Sequence, residues 1–175
     1  MPQDKKGYKD YIRGIPDFPK PGILFYDVTT LLKNGKVFKK ALNSLTLKYK
    51  NKKIDKVVAV EARGFILGGA IAHKLGVGFV PVRKKGKLPW KTNSATYELE
   101  YGTDTLEMHH DAINPGEKVL IIDDLLATGG TVKAVADLIR QQQGKIAGIV
   151  FLIELTDLKG RDKLQGYPVY SLIKY

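Results

Sequence analysis

The run Val-Leu-Ile-Ile-Asp-Asp-Leu-Leu-Ala-Thr-Gly-Gly-Thr, residues 119–131, decides the fold. Val119 to Ile122 are apolar without interruption. A strand apolar on both sides is covered on both faces, as in a parallel sheet between helices. Asp123 and Asp124 then stand at its carboxyl end, the edge where open α/β sheets bind ligands. Ala127, Thr128, Gly129, Gly130 and Thr131 lead into a helix whose Val132, Val135, Ala136 and Ile139 share one face. The two glycines let the backbone turn its N–H groups inward, and the threonines add hydroxyl donors. The helix start adds a partial positive charge of roughly half an electron. Together these form a cup for a terminal phosphate. The neighbouring carboxylates would repel that phosphate, but they can accept from sugar hydroxyls. The run therefore reads as a sugar-phosphate holder, with hydroxyls at Asp123 and Asp124 and phosphate at residues 127–131. The plain alternative is a strand end followed by a turn and helix cap. A triphosphate loop would need Gly-Lys-Ser/Thr and a dinucleotide loop G-x-G-x-x-G, and the run has neither.

Working outward, the same alternation recurs. Val57 to Val60 is a second apolar strand, ending at Glu61. Gly64 to Leu75 is an apolar helix, Gly78 to Val82 a strand, and Ile146 to Ile153 a fourth strand. Alternating strand and helix predicts an α/β doubly wound fold with a mostly parallel sheet. Residues 1–22, punctuated by Pro16, Pro19 and Pro21, predict a short helix and extended loop, and Ile23 to Val28 a short strand. Lys36 to Tyr49 places Val37, Phe38, Ala41, Leu42, Leu45 and Tyr49 on one helix face. Arg83 to Ser94 is basic and without period, a functional or mobile stretch about a dozen residues long. Ala95 to Tyr101 and Thr105 to His109 read as an antiparallel pair.

The chain has 175 residues, which suits one domain. Lys and Arg total 29 against 18 Asp and Glu, a net charge of +11. That surplus implies an anionic partner: nucleic acid, an anionic membrane or a phosphorylated small molecule. With no cysteine, a disulfide scaffold, a zinc finger and a cysteine nucleophile are all excluded. No apolar stretch reaches the ~20 residues of a membrane helix, and the N-terminus has no signal-peptide pattern. The expectation is a cytoplasmic protein. His73, His109 and His110 lack metal-ligand spacing and read as structural or surface groups.

The 119–131 unit resembles the 5-phosphoribosyl-1-pyrophosphate (PRPP) motif of the type I phosphoribosyltransferases, in the form found in members that use adenine. Phe18-Pro-Lys-Pro-Gly-Ile-Leu-Phe-Tyr-Asp27 resembles the family's purine-site segment. It implies adenine contacts from Leu24, Phe25 and Tyr26, with the Phe25 ring stacked on the base. The family often has Arg where this chain has Tyr26. Glu61-Ala-Arg-Gly64 resembles the pyrophosphate loop, implying roles for Glu61, Ala62, Arg63 and Gly64 and a non-proline cis peptide; a Glu61–Arg63 salt bridge is the structural alternative. The stretch from Arg83 resembles the flexible catalytic loop, with Arg83, Lys84, Lys85 and Lys87 closing over pyrophosphate and Arg83 acting either in its own site or in that of a partner subunit. Tyr97-Glu-Leu-Glu-Tyr-Gly102 resembles the end of that lid. It implies catalytic roles for Glu100, beside the purine, and Tyr101, together with Arg63. Ile153 to Arg161 resembles the C-terminal segment, where Leu155 closes the other face of the base. The resemblance covers residues 14–175.

The resemblance implies the type I phosphoribosyltransferase fold: one domain over residues 1–175, with a hood from 1–30 and about 155–175. It implies adenine and PRPP as substrates, AMP and pyrophosphate as products, Mg²⁺ carried by the substrate rather than by a protein cage, and a homodimer. Neither nucleic acid nor membrane is an expected partner. Two rivals remain. A PRPP-sensing, DNA-binding regulator would suit the charge, but such proteins carry a DNA-binding domain ahead of this fold. An enzyme for a 6-oxopurine such as xanthine is the nearer competitor.

Overall fold

In the computed structural model, which describes residues 7–98 and 102–175, the apolar runs become strands of one sheet. The chain divides into two compact units, Met1–Ser44 and Leu45–Tyr175. In the first, a 3₁₀ turn at Tyr8–Tyr11 precedes β1 (Arg13–Ile15), which pairs antiparallel with β2 (Phe25–Asp27). The sequence leads to a helix and loop over residues 1–22, but the described part is a hairpin arm. Gly14 pairs with Tyr26, and the intervening turn holds a cis Phe18–Pro19 bond. Two helices follow, α1 (Thr29–Leu32) and α2 (Gly35–Thr46). Ala41 and Leu45 of the expected apolar face are buried, with Tyr49 in the 3₁₀ turn that continues α2.

The second unit holds β3 (Lys56–Val60), α3 (Arg63–Leu75), β4 (Gly78–Lys84), β5 (Thr92–Glu98), β6 (Thr103–His109), β7 (Lys118–Leu126), α4 (Gly130–Gln141), β8 (Lys145–Glu154) and β9 (Val169–Lys174). They form a seven-stranded sheet in the order β5-β6-β4-β3-β7-β8-β9. β4, β3, β7, β8 and β9 run parallel to their neighbours, and the β5–β6 hairpin joins β4 antiparallel. The core lies on both faces of β7 and β8, where Leu120, Ile121, Ile122 and Phe151 are fully buried. This is the mixed, mostly parallel sheet flanked by helices that the apolar runs imply.

Three extents differ from the sequence reading. Pairing of Arg83 with Glu107 and Lys84 with Leu106 carries β4 two residues further, and pairing with β6 starts β5 at Thr92, so the irregular basic stretch shrinks to residues 85–91. β7 runs through Asp123 and Asp124 to Leu126, because β8 pairs with it that far. β9 is a parallel strand that no apolar run announces, since Tyr170, Ser171 and Lys174 break its pattern.

One feature of the order places the site. The crossover from β3 through α3 steps to β4 on one side, while that from β7 through α4 steps to β8 on the other. With right-handed crossovers the two helices lie on opposite faces. The sheet order therefore reverses between β3 and β7, and a crevice opens at their carboxyl ends.

Candidate active site

Both predicted phosphate-handling segments emerge at this crevice. Ala59 pairs with Ile122, so Glu61 to Gly64 leave the sheet beside Asp123 and Asp124, and β7 runs on to deliver residues 127–131 at the same edge. The start of α3 lies so close to β7 that a Cβ on Gly64 would stand 2.9 Å from Asp123 Oδ1.

Residues 127–131 carry the chain from β7 into α4. Gly129 has φ +80°, which turns the chain into α4, and among the described residues no side chain caps that helix start. Its first N–H groups are left facing outward for an anion. Gly129 and Gly130 are buried, and Ala127, Thr128 and Thr131 half-buried. Asp123 and Asp124 are buried beneath them, and the Asp124 N–H donates to Asp123 Oδ1 at 2.9 Å. Burial raises the Asp123 carboxyl well above its usual range and Asp124 adds to this by repulsion; burial likewise raises Asp124. Arg63 Nε, 2.7 Å from Asp124 Oδ2, works against the rise in both. That contact is an ion pair but lacks hydrogen-bond alignment.

On the β3 side the Glu61–Ala62 peptide is cis, as the resemblance implies. The Glu61–Arg63 salt bridge is not the arrangement found: Arg63 turns to Asp124, and Glu61 gathers the basic loop. Glu61 Oε2 accepts from Arg83 Nη2 at 3.0 Å, Arg83 Nε at 3.3 Å and Lys87 Nζ at 3.3 Å. Its Oε1 accepts from the Lys84 amide at 2.6 Å, and Arg83 Nη1 donates to the Lys87 carbonyl at 3.1 Å. Burial pushes the Glu61 carboxyl upward, but these donors outweigh it and hold it below its usual range. The Lys84 ammonium pairs with Asp104 at 2.9 Å, and Lys85 is exposed.

Three cradle residues escaped the sequence reading. The Tyr97 ring edge lies 3.4 Å from where a Cβ on Gly130 would stand, so the end of β5 lies against the cup. Lys163 Nζ lies 4.0 Å from where a Cβ on Gly130 would stand. Gly160 backs the cup: a Cβ there would collide with the Ala127 carbonyl oxygen, and a Cβ on Gly129 with the Gly160 carbonyl oxygen. Its turn is fixed by Arg161, which forks onto buried Glu154 at 2.5 and 2.7 Å and holds that carboxyl low. Half-buried Leu155 follows β8 and donates its amide to the Leu126 carbonyl, so it sits next to the cup's entry.

In the first unit, Leu24 is half exposed, and Phe25 and Tyr26 both lie in β2; the Phe18 ring meets Phe25 edge-on at 5.1 Å. Glu100 and Tyr101 fall outside the described residues. Among those described, no group of three His, Asp or Glu side chains forms a metal cage. His109 and His110 flank Trp90, with ring centroids 6.4 and 4.7 Å away. A hollow of about 990 Å³ in the first unit, lined mainly by residues 10–13 and 33–36, contains none of the predicted site residues.

Comparison with known proteins agrees with this geometry. Residues 28–173 match the phosphoribosyl transferase domain family. An adenine phosphoribosyltransferase of Desulfitobacterium hafniense is 57% identical over 96% of this chain and 97% of its own. The crystal structure of one from Thermoanaerobacter pseudethanolicus superposes with a TM-score of 0.93 at 54% identity, covering 95% of this chain and 97% of its own. One from Saccharomyces cerevisiae, solved with an imino-altritol bisphosphate and adenine, gives 0.88 at 42% identity, covering 94% and 95%. The uncapped helix start, the buried aspartate pair and the cationic loop thus stand on a shared fold, and the chain belongs to the phosphoribosyl transferase family, among its adenine phosphoribosyltransferases.

Proposed function

We propose that the chain joins adenine to the ribosyl phosphate of PRPP, giving AMP and pyrophosphate. One juxtaposition carries the reading: at a single crevice stand, in order, an uncapped helix start, a carboxylate pair and a cluster of cations. That order matches the 5-phosphate, the ribose hydroxyls and the pyrophosphate of one substrate. Choice of adenine rests on the relatives, one of them solved with adenine bound.

In the reaction the bond from the anomeric carbon to pyrophosphate breaks while the purine N9 forms its own bond there and loses its proton. The ribose passes through an oxocarbenium-like state, and charge grows on the departing pyrophosphate. Arg63, Arg83 and Lys87 meet that charge. Glu100 hydrogen-bonds the purine and manages its proton, with Tyr101 beside it. Leu24, Phe25, Tyr26 and Leu155 are assigned to the base. Closing the basic lid excludes water from the reacting carbon. Asp123 and Asp124 suit a hard cation that keeps its waters and rides on substrate oxygens. Held this way, Mg²⁺ would supply positive charge to offset that growing on pyrophosphate. The working form is a homodimer in the cytoplasm.

The test is an assay of adenine, hypoxanthine, guanine and xanthine with PRPP and Mg²⁺. AMP from adenine is expected. A product from another purine alone would replace the base, and none from any would remove the reaction.

A further inference from the structure

Glu61 makes more contacts to the lid's cations than a loop anchor needs. One carboxylate receives a guanidinium fork, an ammonium and a backbone amide, all from residues 83–87. These are the donors the proposed reaction requires for pyrophosphate, since a carboxylate and a phosphate oxygen are read by the same fork. The Glu61 side chain is itself largely buried, at 10% exposure. Its position follows from the sheet: Val60 pairs with Val82, so Glu61, just past the end of β3, stands beside Arg83, the next residue of β4.

We propose that Glu61 is an internal stand-in for pyrophosphate. In the free protein its carboxylate holds Arg83, Lys87 and the Lys84 amide in place. Pyrophosphate entering on PRPP takes them over, and Glu61 recaptures them as the product leaves. This rests on the assignment of those cations to pyrophosphate. Glu61 is a positioning residue, acting through the lid and not on the reacting atoms. Two effects follow. A site partly occupied by its own anion binds the external one more weakly, by the fraction of time the donors are held. The same hold keeps the loop ordered when no substrate is bound. Glu61 therefore trades affinity for product release.

The experiment compares wild type with Glu61→Gln and Glu61→Asp in two measurements. One is tryptic cleavage after residues 83–87 in the free protein. The other is the inhibition constant of Mg-pyrophosphate against PRPP. The amide of Gln can still accept from Lys84 but carries no charge, and Asp keeps the charge on a side chain one methylene shorter. For Glu61→Gln, cleavage is expected to quicken and pyrophosphate to bind tighter, each roughly three- to tenfold. Saturating pyrophosphate should abolish the difference in cleavage. Glu61→Asp should lie between, with cleavage nearer that of Gln. Weaker pyrophosphate binding in both variants would make Glu61 a plain support of the site and overturn the proposal. Tighter binding with unchanged cleavage would reduce it to charge repulsion and overturn it equally. If wild type itself fails to bind pyrophosphate, the assignment of the cations fails instead, a result distinct from these.

Discussion

Asp123 and Asp124 are neighbours in a strand, buried together, with Arg63 as the compensating charge. Ionising both costs desolvation as well as mutual repulsion. The folded state therefore binds the proton of Asp123 more tightly than the unfolded chain, which releases it near the ordinary Asp value of about 3.9. Below that value the penalty is absent. As pH rises through the raised folded value, stability is lost. Asp123→Asn keeps an acceptor for the Asp124 amide and removes this loss. We expect its melting temperature at neutral pH to rise by about 2–4 °C, the shift that ~1 kcal/mol produces at this size, with activity abolished. Melting curves recorded upward from about pH 4, near the unfolded value, should show the wild type falling away from the variant. The pair and its glycines were legible because their chemistry is written consecutively in the chain. The partner of Glu61 was not, since Arg83 becomes its neighbour only through β3–β4 pairing.

The strands and helices were legible where apolar runs are long, as in β3, β7 and β8. Elements that depend on pairing were not. β9 has mixed side chains and exists because β8 offers it an edge, with Ile149 opposite Val169 and Phe151 opposite Ser171. The turn between β8 and β9 also showed no sign of touching the cup, yet Gly160 presses against Ala127 and Gly129. A side chain there must push the cup or the turn aside. Gly160→Ala is expected to lose roughly 1–3 kcal/mol of stability. Its KM for PRPP should rise about tenfold or more, because small displacements of binding groups are costly. Thermal unfolding and steady-state kinetics on one preparation check both. A stable variant with normal KM would mean that the cup does not lean on this turn.

For the molecule as a whole, the charge of +11 suggested an anionic ligand, but much of it lies elsewhere. Lys52, Lys53, Lys118 and Lys145 surround a hollow of about 320 Å³ at the opening ends of β7 and β8. Along β3, whose opening end lies beside that of β7, five residues at ~3.3 Å each set the crevice about 16 Å away. That is twice the ~8 Å screening length at physiological salt. Replacing all four lysines with Gln should leave kcat unchanged and lower kcat/KM for PRPP by less than about twofold at that ionic strength. Assays at low and physiological salt would separate long-range steering from direct contact.

The hairpin of β5 and β6 is zipped by seven register pairs but joins β4 through only two, Arg83 with Glu107 and Lys84 with Leu106. β3 and β7, by contrast, are each flanked by two strands. Local opening follows such differences in attachment. In amide hydrogen exchange the hairpin should open as one unit, well ahead of β3 and β7. The lid can then open at its root, drawing β5 away from the cup at Tyr97 while the β3–β7 ladder stays closed, so repeated opening draws on a local free energy.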